Sequence, residues 1–226
     1  MDSSKTILVI APHPDDETLG CGGTLLRHIS AGDKVYWLIC TTITESQGFT
    51  KERIEERKKE INFVSNMYRF TGYKQLDFHT TELDQVPRNV LINSISDYVN
   101  EIQPHTIYLP YRNDVHTDHA YVFDASVACT KSFRYPFVKK VYVYETLSET
   151  EYGLRTDDPG FKPNTWVNIS KFLERKLEIM KVYRSEIGNH PFPRSVKGIE
   201  SLATIRGLAA NQAYSESFIC LKDIQN

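Results

Sequence analysis

The chain has 226 residues, of which 40% are hydrophobic and 25% charged, with a formal net charge of −2. This length predicts one domain, residues 1–226, with room for a large core. The near-neutral balance leaves no electrostatic footprint for nucleic acid and no strong steering of polyanions. No run of eighteen apolar residues is present, so no transmembrane helix is expected. Met1-Asp2-Ser3-Ser4-Lys5 is not a basic region leading into an apolar signal segment, so the expected location is the cytoplasm. Cys21, Cys40, Cys129 and Cys220 are scattered and are expected to be reduced core residues. Without a Cys-x-x-Cys spacing, a cysteine-built zinc site is not expected.

Taken in order, residues 5–11 are an uncharged apolar run and predict a buried strand. Residues 18–31 predict a helix that stops at Gly32, and Val35 to Cys40 a second buried strand. Thr41 to Thr50 is polar and predicts a loop. Lys51 to Met67 places Ile54, Ile61, Val64 and Met67 on one helical face, opposite a charged face. A short strand is expected over Lys74 to Phe78 and a helix over Pro87 to Ile102. A strand over Thr106 to Leu109 and a helix over Thr117 to Thr130 follow, then a strand over Lys140 to Tyr144. Residues 145–164 predict an irregular loop. Trp166 to Ile169 predicts a short strand, and Ser170 is a candidate cap for a helix reaching Tyr183. His190-Pro191-Phe192-Pro193 excludes a helix. Val196 to Ala210 predicts the last helix, and Ser217 to Leu221 a last short strand. The repeated strand-then-helix order predicts a three-layer α/β fold with a mostly parallel sheet. Right-handed crossovers then put its strand-to-helix loops on one edge.

Two of those loops carry clustered chemistry. Pro12-His13-Pro14-Asp15-Asp16-Glu17 follows the first strand, and Asp114-Val115-His116-Thr117-Asp118-His119 follows Thr106 to Pro110. Open α/β sheets hold ligands at such strand ends. His13 and Asp16 are three residues apart, as are His116 and His119, so each pair can aim at a common point. Imidazole and carboxylate suit a catalytic divalent metal with an open water position. Four or more candidates are present, so some of them do something else. Of the adjacent pair Asp15 and Asp16, one can bind metal while the other takes a proton. Each motif alone has a plainer meaning: an Asp-Asp pair is most often a helix cap, and a His-x-x-His pair a solvated one. Two clusters at one sheet edge favour the metal. His79 and His105 are isolated and are expected to be ordinary surface or core residues. His190 is expected to be a turn residue that could rim a pocket. Lys51 to Arg57 is expected to be a solvated helix face, although an arginine there could meet a polar substrate. Gly20, Gly22 and Gly23 lack the spacing of a nucleotide loop, and close helix–strand packing explains them better. A nucleotide-binding protein and a non-catalytic α/β module are therefore disfavoured.

The two motifs resemble the PIG-L/LmbE-type zinc-dependent N-deacetylases. Arg53-Ile54-Glu55-Glu56, Pro193-Arg194-Ser195, Leu202-Ala203, Arg206-Gly207 and Tyr214 to Phe218 extend the resemblance over nearly the whole chain. Departures are Pro12 before the histidine and the loop Thr42 to Glu45, so substrate contacts there are this chain's own. Together with the strand–helix order, the resemblance implies a three-layer, Rossmann-like α/β fold. It implies zinc, with ferrous iron also chemically suitable, held by His13, Asp16 and His119. Asp15 would be the general base, His116 would stabilise the oxyanion and help protonate the leaving amine, and Asp118 would orient a neighbouring histidine. Arg53 would contact substrate, and Asp114 would hydrogen-bond within its loop. The implied reaction removes an N-acetyl group from an N-acetylated amino sugar or glycoside, giving acetate and a free amine. A metal-dependent amide hydrolase acting on a non-sugar acylated molecule is the alternative. The lipid-linked eukaryotic member's N-terminal anchor is missing, so a soluble small-molecule substrate is expected, and self-association of like chains is plausible.

Overall fold

The computed structural model describes residues 4–154 and 156–225. Arg155 of the expected irregular loop, and residues 1–3 of the segment read for a signal, lie outside them. One seven-stranded sheet runs in the order β3-β2-β1-β4-β5-β7-β6. Its strands are β1 (Thr6–Ala11), β2 (Lys34–Thr42), β3 (Gly72–His79), β4 (Thr106–Pro110), β5 (Lys140–Tyr144), β6 (Thr165–Asn168) and β7 (Ser215–Asp223). The first five pair in parallel, and β7 pairs antiparallel with both β5 and β6.

β1 lies inside the sheet between β2 and β4, and Ile7 to Ala11 are fully buried. That explains its unbroken apolar sequence: a strand covered on both faces needs no polar alternation. Its side chains divide by parity. Ile7, Val9 and Ala11 join one core, and Leu8 and Ile10 join the other. The first core is covered by α1 (Asp16–Ser30), α2 (Lys51–Tyr68) and α5 (Leu173–Met180). The second is covered by α3 (Arg88–Ile102) and α4 (Thr117–Ala128). α6 (Val196–Ala209) packs on β7.

The chain steps outward from β1 to β2 to β3, then returns to lay β4 on the other side of β1. Strand order therefore reverses between β1 and β4. Their two following loops separate there and leave a crevice.

Three features of this frame differ from expectation or add to it. The last strand has nine residues and sits inside the sheet, not at a short end. Ser170 caps nothing: Phe172 precedes α5, and Ser170 Oγ instead accepts from the Tyr214 amide at 3.2 Å. This ties the start of α5 to the chain entering β7. Finally, α1 is broken at Cys21 (φ −143°, ψ 18°). The Glu216 carboxylate, coming from β7, accepts from the freed amides of Gly23 and Thr24 at 2.9 and 2.7 Å. Lys176 Nζ donates to Glu216 at 2.7 Å and to the Leu19 carbonyl at 2.9 Å, so both ends of the break are satisfied. Close approach requires the neighbouring glycine: a Cβ on Gly20 would stand 2.2 Å from the Tyr144 ring. Among the described residues, no helix is long and apolar enough to cross a membrane.

The Lys176–Glu216 pair is almost wholly buried. Lys176→Met should leave the Glu216 charge without its counter-ion and cost about 3–5 kcal/mol. Denaturant unfolding of the variant measures this, and a loss under about 1 kcal/mol would contradict the role assigned to the pair.

Candidate metal centre and active site

The loop after β1 is fastened to β2, because the Thr41 amide and hydroxyl both donate to the Pro12 carbonyl, at 3.1 and 2.8 Å. It then turns through Asp15, whose φ of 130° and ψ of −28° are strained for a residue with a side chain. The Asp15 carbonyl accepts from the Thr18 and Leu19 amides, and the Asp15 amide donates to the Glu17 carboxylate at 3.0 Å. Glu17 is buried, and its carboxylate also accepts from the hydroxyls of Thr18 (2.5 Å) and Tyr183 (2.9 Å). Burial pushes its pKa up to about 7, against the pull of those bonds. Asp15 occupies the cap position of α1 but makes no capping bond. Its carboxylate accepts instead from Arg194 Nη1 at 3.0 Å.

The loop after β4 leads into α4. His116 caps that helix, its Nδ1 accepting from the Asp118 amide at 3.2 Å. His119 lies in the first turn and is fully buried. The two loops meet across the crevice. His13 Nδ1 is 3.3 Å, and His119 Nε2 3.4 Å, from the same Asp16 Oδ2. A tetrahedral centre with bonds of about 2.0–2.1 Å separates its ligand atoms by roughly 3.3–3.4 Å. His119 Nε2 is buried and has no hydrogen-bond partner. The opposite ring nitrogens are each held by a carboxylate: His119 Nδ1 by Asp114 Oδ2 at 2.7 Å, and His13 Nε2 by Asp118 Oδ2 at 3.0 Å. Asp114 accepts in turn from the Thr150 hydroxyl at 2.6 Å, and Asp118 from the Thr81 amide at 2.8 Å. Carboxylates behind the ring are the usual setting of metal-binding histidines. His13, Asp16 and His119 therefore fit a divalent cation. A second trio, His13, His116 and Asp118, also has donor atoms within 4.8 Å of one another. It fits less well, because His116 Nδ1 is occupied by the Asp118 amide, and Asp118 Oδ2 by His13 and Thr81.

The electrostatics follow from this packing. Burial pulls the His13 pKa down, but hydrogen bonds to Asp118 and Asp16 outweigh it and raise the value to about 9. His119 is likewise raised: burial opposes, and the Asp16 charge and the Asp114 bond prevail. Asp16 is held low by the two imidazoles despite its burial. Asp15 moves the other way. Burial and then the charge of Asp16 raise it, beyond what Arg194 and Arg57 offset. His116 falls to about 4 through burial and the nearby charge of His13. Its Nδ1 accepts a bond, so the neutral ring carries its proton on Nε2.

Beside the cluster lies a cavity of about 420 Å³, lined by His13, Asp15, Asp16 and His116 and by Arg53. The charged start of α2 is thus only partly a solvated face: Arg53 and Arg57 turn into this wall. Arg53 Nη1 donates to Glu56 at 3.0 Å, and its Nη2 donates to Ser185 at 2.5 Å. Asp118 and His119 lie behind the wall, as does Asp114. Arg194, Glu186 and Glu149 also line the cavity, and sequence reasoning gave them no role. Arg194 lies next to the Pro-rich loop and within the quoted Pro-Arg-Ser motif; Glu186 and Glu149 carry no local signal. His79 binds Glu82, His105 binds Thr106, and His190 is exposed; none of the three lines this cavity. A separate groove of about 280 Å³ lies at the opposite strand ends, around Lys5, His105 and Lys140.

Comparison with known proteins points the same way as the motifs. The family model described as GlcNAc-PI de-N-acetylase (PIG-L) matches residues 8–130, which include both loops. Diacetylchitobiose deacetylase of Thermococcus kodakarensis is 26% identical over 94% of this chain and 81% of its own length. A probable N-acetyl-alpha-D-glucosaminyl L-malate deacetylase of Bacillus cereus is 24% identical over 80% of this chain and 84% of its own. Among solved structures, a conserved protein of Thermus thermophilus superposes with a TM-score of 0.76 at 25% identity, covering 98% of this chain and 97% of that one.

The raised imidazoles predict proton-linked cation binding. In the metal-free protein the His13 ion pair contributes its full stability below the unfolded value near 6.5, and that contribution is lost as pH rises through about 9. At about pH 7 a cation must displace protons from His13 and His119. Calorimetric titration with zinc in buffers of different ionisation enthalpy should show between one and two protons released, with apparent affinity rising up to about pH 9. No proton release and a pH-independent affinity would contradict the ligand set.

Proposed function

The chain belongs to the GlcNAc-PI de-N-acetylase (PIG-L) family, and on that premise we propose that it is a metal-dependent N-deacetylase, acting as one catalytic domain on an N-acetylated amino sugar or glycoside. The observation that carries this reading is the convergence of His13 Nδ1 and the buried His119 Nε2 on one Asp16 oxygen, at 3.3 and 3.4 Å, with Asp15 lining the adjoining cavity. A divalent cation held by His13, Asp16 and His119, zinc in this reading with ferrous iron also suited, would polarise the acetamide carbonyl and acidify the attacking water.

The chain's own groups do the rest. Asp15 takes the proton as the water oxygen bonds to the carbonyl carbon. Burial and the charge of Asp16 raise its affinity for that proton above that of an ordinary carboxylate. His116, neutral and with its proton on Nε2, donates to the oxygen that gains negative charge. When the C–N bond breaks, the proton on Asp15 passes to the departing nitrogen, which leaves as an amine beside acetate. His116, which lines the cavity with Asp15, stabilises the oxyanion and shares in passing that proton to the leaving nitrogen. Arg194 holds the Asp15 carboxylate in place, and Asp114 and Asp118 orient His119 and His13. Arg53 lies at the wall within reach of a bound sugar's hydroxyls.

The names of the two curated relatives both specify N-acetylated sugars, which supports a sugar over a non-sugar amide. Cytoplasmic residence is part of the same proposal. So is self-association, which the exposed Ile205 and Leu208 of α6 support.

Acetate release from N,N'-diacetylchitobiose tests the reading. Asp15→Asn should lower kcat by about 10³-fold or more while metal content stays at the parent level, and His116→Ala should lower it about 10²-fold. Full turnover in Asp15→Asn, or loss of metal there but not in Asp16→Ala, would overturn the assignment of the two aspartates.

A further inference from the structure

Three guanidinium groups line the cavity, and each is already matched by carboxylates. Arg57 spends its three nitrogens on Glu60 (3.3 Å), Glu186 (2.5 Å) and the Pro14 carbonyl (3.0 Å). Arg53 is paired with Glu56 at 3.0 Å and Glu60 at 3.5 Å, and lies 3.8 Å from Glu186. Arg194 is shared between Asp15 at 3.0 Å and Glu186 at 3.3 Å, and its Nε is buried out of reach. The reverse holds for Glu149. Its backbone is fixed in a turn, the amide donating to Thr146 at 3.0 Å and the carbonyl accepting from Val115 at 3.1 Å. Its carboxylate lines the cavity with no hydrogen bond or ion pair among the described residues. The uncommitted charge in the wall is therefore negative. Outside the metal-binding end (His13, Asp15, Asp16) and Glu186, which is bound into the arginine network, the remaining lining is neutral, with the hydroxyls of Thr42, Thr80 and Thr81 and the half-exposed ring of Phe49.

Building on the deacetylase reading, we propose that this site selects N-acetyl sugars whose aglycone is uncharged, such as a second sugar, and rejects those bearing a carboxylate or phosphate. An anionic aglycone meets Glu149 directly. Away from the metal-binding end, which the acetamide would occupy, it finds a cation only by breaking an Arg–Glu pair and leaving a partly buried glutamate unpaired, which is costly. Rejection by an unpaired like charge is a common route to specificity. A charge-matched guanidinium still donates hydrogen bonds to hydroxyls, so the same arginines serve a neutral sugar. The cavity volume of about 420 Å³ lies in the range of small-molecule sites, roughly 300–1,000 Å³.

The test compares kcat/KM for acetate release from N,N'-diacetylchitobiose and from N-acetylglucosaminyl malate, at low salt and about pH 8, on the alkaline side because burial raises the Glu149 pKa against the pull of His119 and Arg194. The parent protein should prefer the uncharged substrate by about tenfold or more. Glu149→Gln should narrow that ratio about tenfold, the scale of one like-charge contact near a protein surface, and added salt should narrow it in the parent but less in the variant. A purely structural role for Glu149 would lower both rates and leave the ratio unchanged, which would overturn the proposal. Preference for the malate glycoside would overturn it too, while leaving the deacetylase reading in place. Acetate from neither substrate would remove that reading and this inference with it.

Discussion

The site depends on a pair of buried imidazole–carboxylate contacts. Asp114 grips one nitrogen of His119, and Asp118 grips one nitrogen of His13, so the other nitrogen of each ring is presented to Asp16. Crowding two imidazoles around one buried carboxylate oxygen, with His119 Nε2 making no hydrogen bond, costs free energy. That cost persists because the rest of the molecule over-determines the arrangement. The strand reversal brings the two loops together, and the packed cores on either face of β1 keep the strand ends from moving. Removing either anchoring carboxylate would free a ring to turn and hide its nitrogen elsewhere.

Strain and charge are both concentrated on the β1–α1 turn. Asp15 is held in a backbone conformation that a side chain disfavours, and Glu17 is sealed beneath it with three hydrogen bonds to keep the turn closed. The result is a carboxylate that points away from the helix it precedes and toward the cavity. Around it, Glu186 collects three arginines, so the wall is rigid and close to neutral. The reacting end of the cavity and its recognising end are thus built on different principles. One has donors that converge on a single point; the other has cations already satisfied.

Much of this was legible in the sequence because it rests on local patterns. The apolar run of β1, the helical face of α2 and the two His/Asp motifs are each set within a few residues. Their expected positions at one sheet edge needed only the handedness of crossovers. The close packing expected of Gly20 is visible against Tyr144. What escaped rests on contacts between residues far apart in the chain. Glu216 closes a break in α1 from 192 and 193 residues away, and Arg194 reaches Asp15 across 179. No periodicity marks either. Ser170 carried the right residue type for a cap, yet a tertiary contact to Tyr214 claimed its hydroxyl. Arg57 looked like part of a solvated face, and Arg53 was singled out only through the family resemblance, because charge density alone does not show which members of a run turn inward.

Two loops from opposite sides of the strand reversal are positioned to complete one metal site. Elemental analysis of protein purified without added metal, for the parent and for His119→Ala, tests it most directly, since His119 comes from the second loop and its Nε2 is buried without a hydrogen-bond partner. About one equivalent of zinc or iron per chain is expected in the parent and almost none in the variant. No metal in the parent even after zinc is supplied, or a full equivalent retained by His119→Ala, would contradict it.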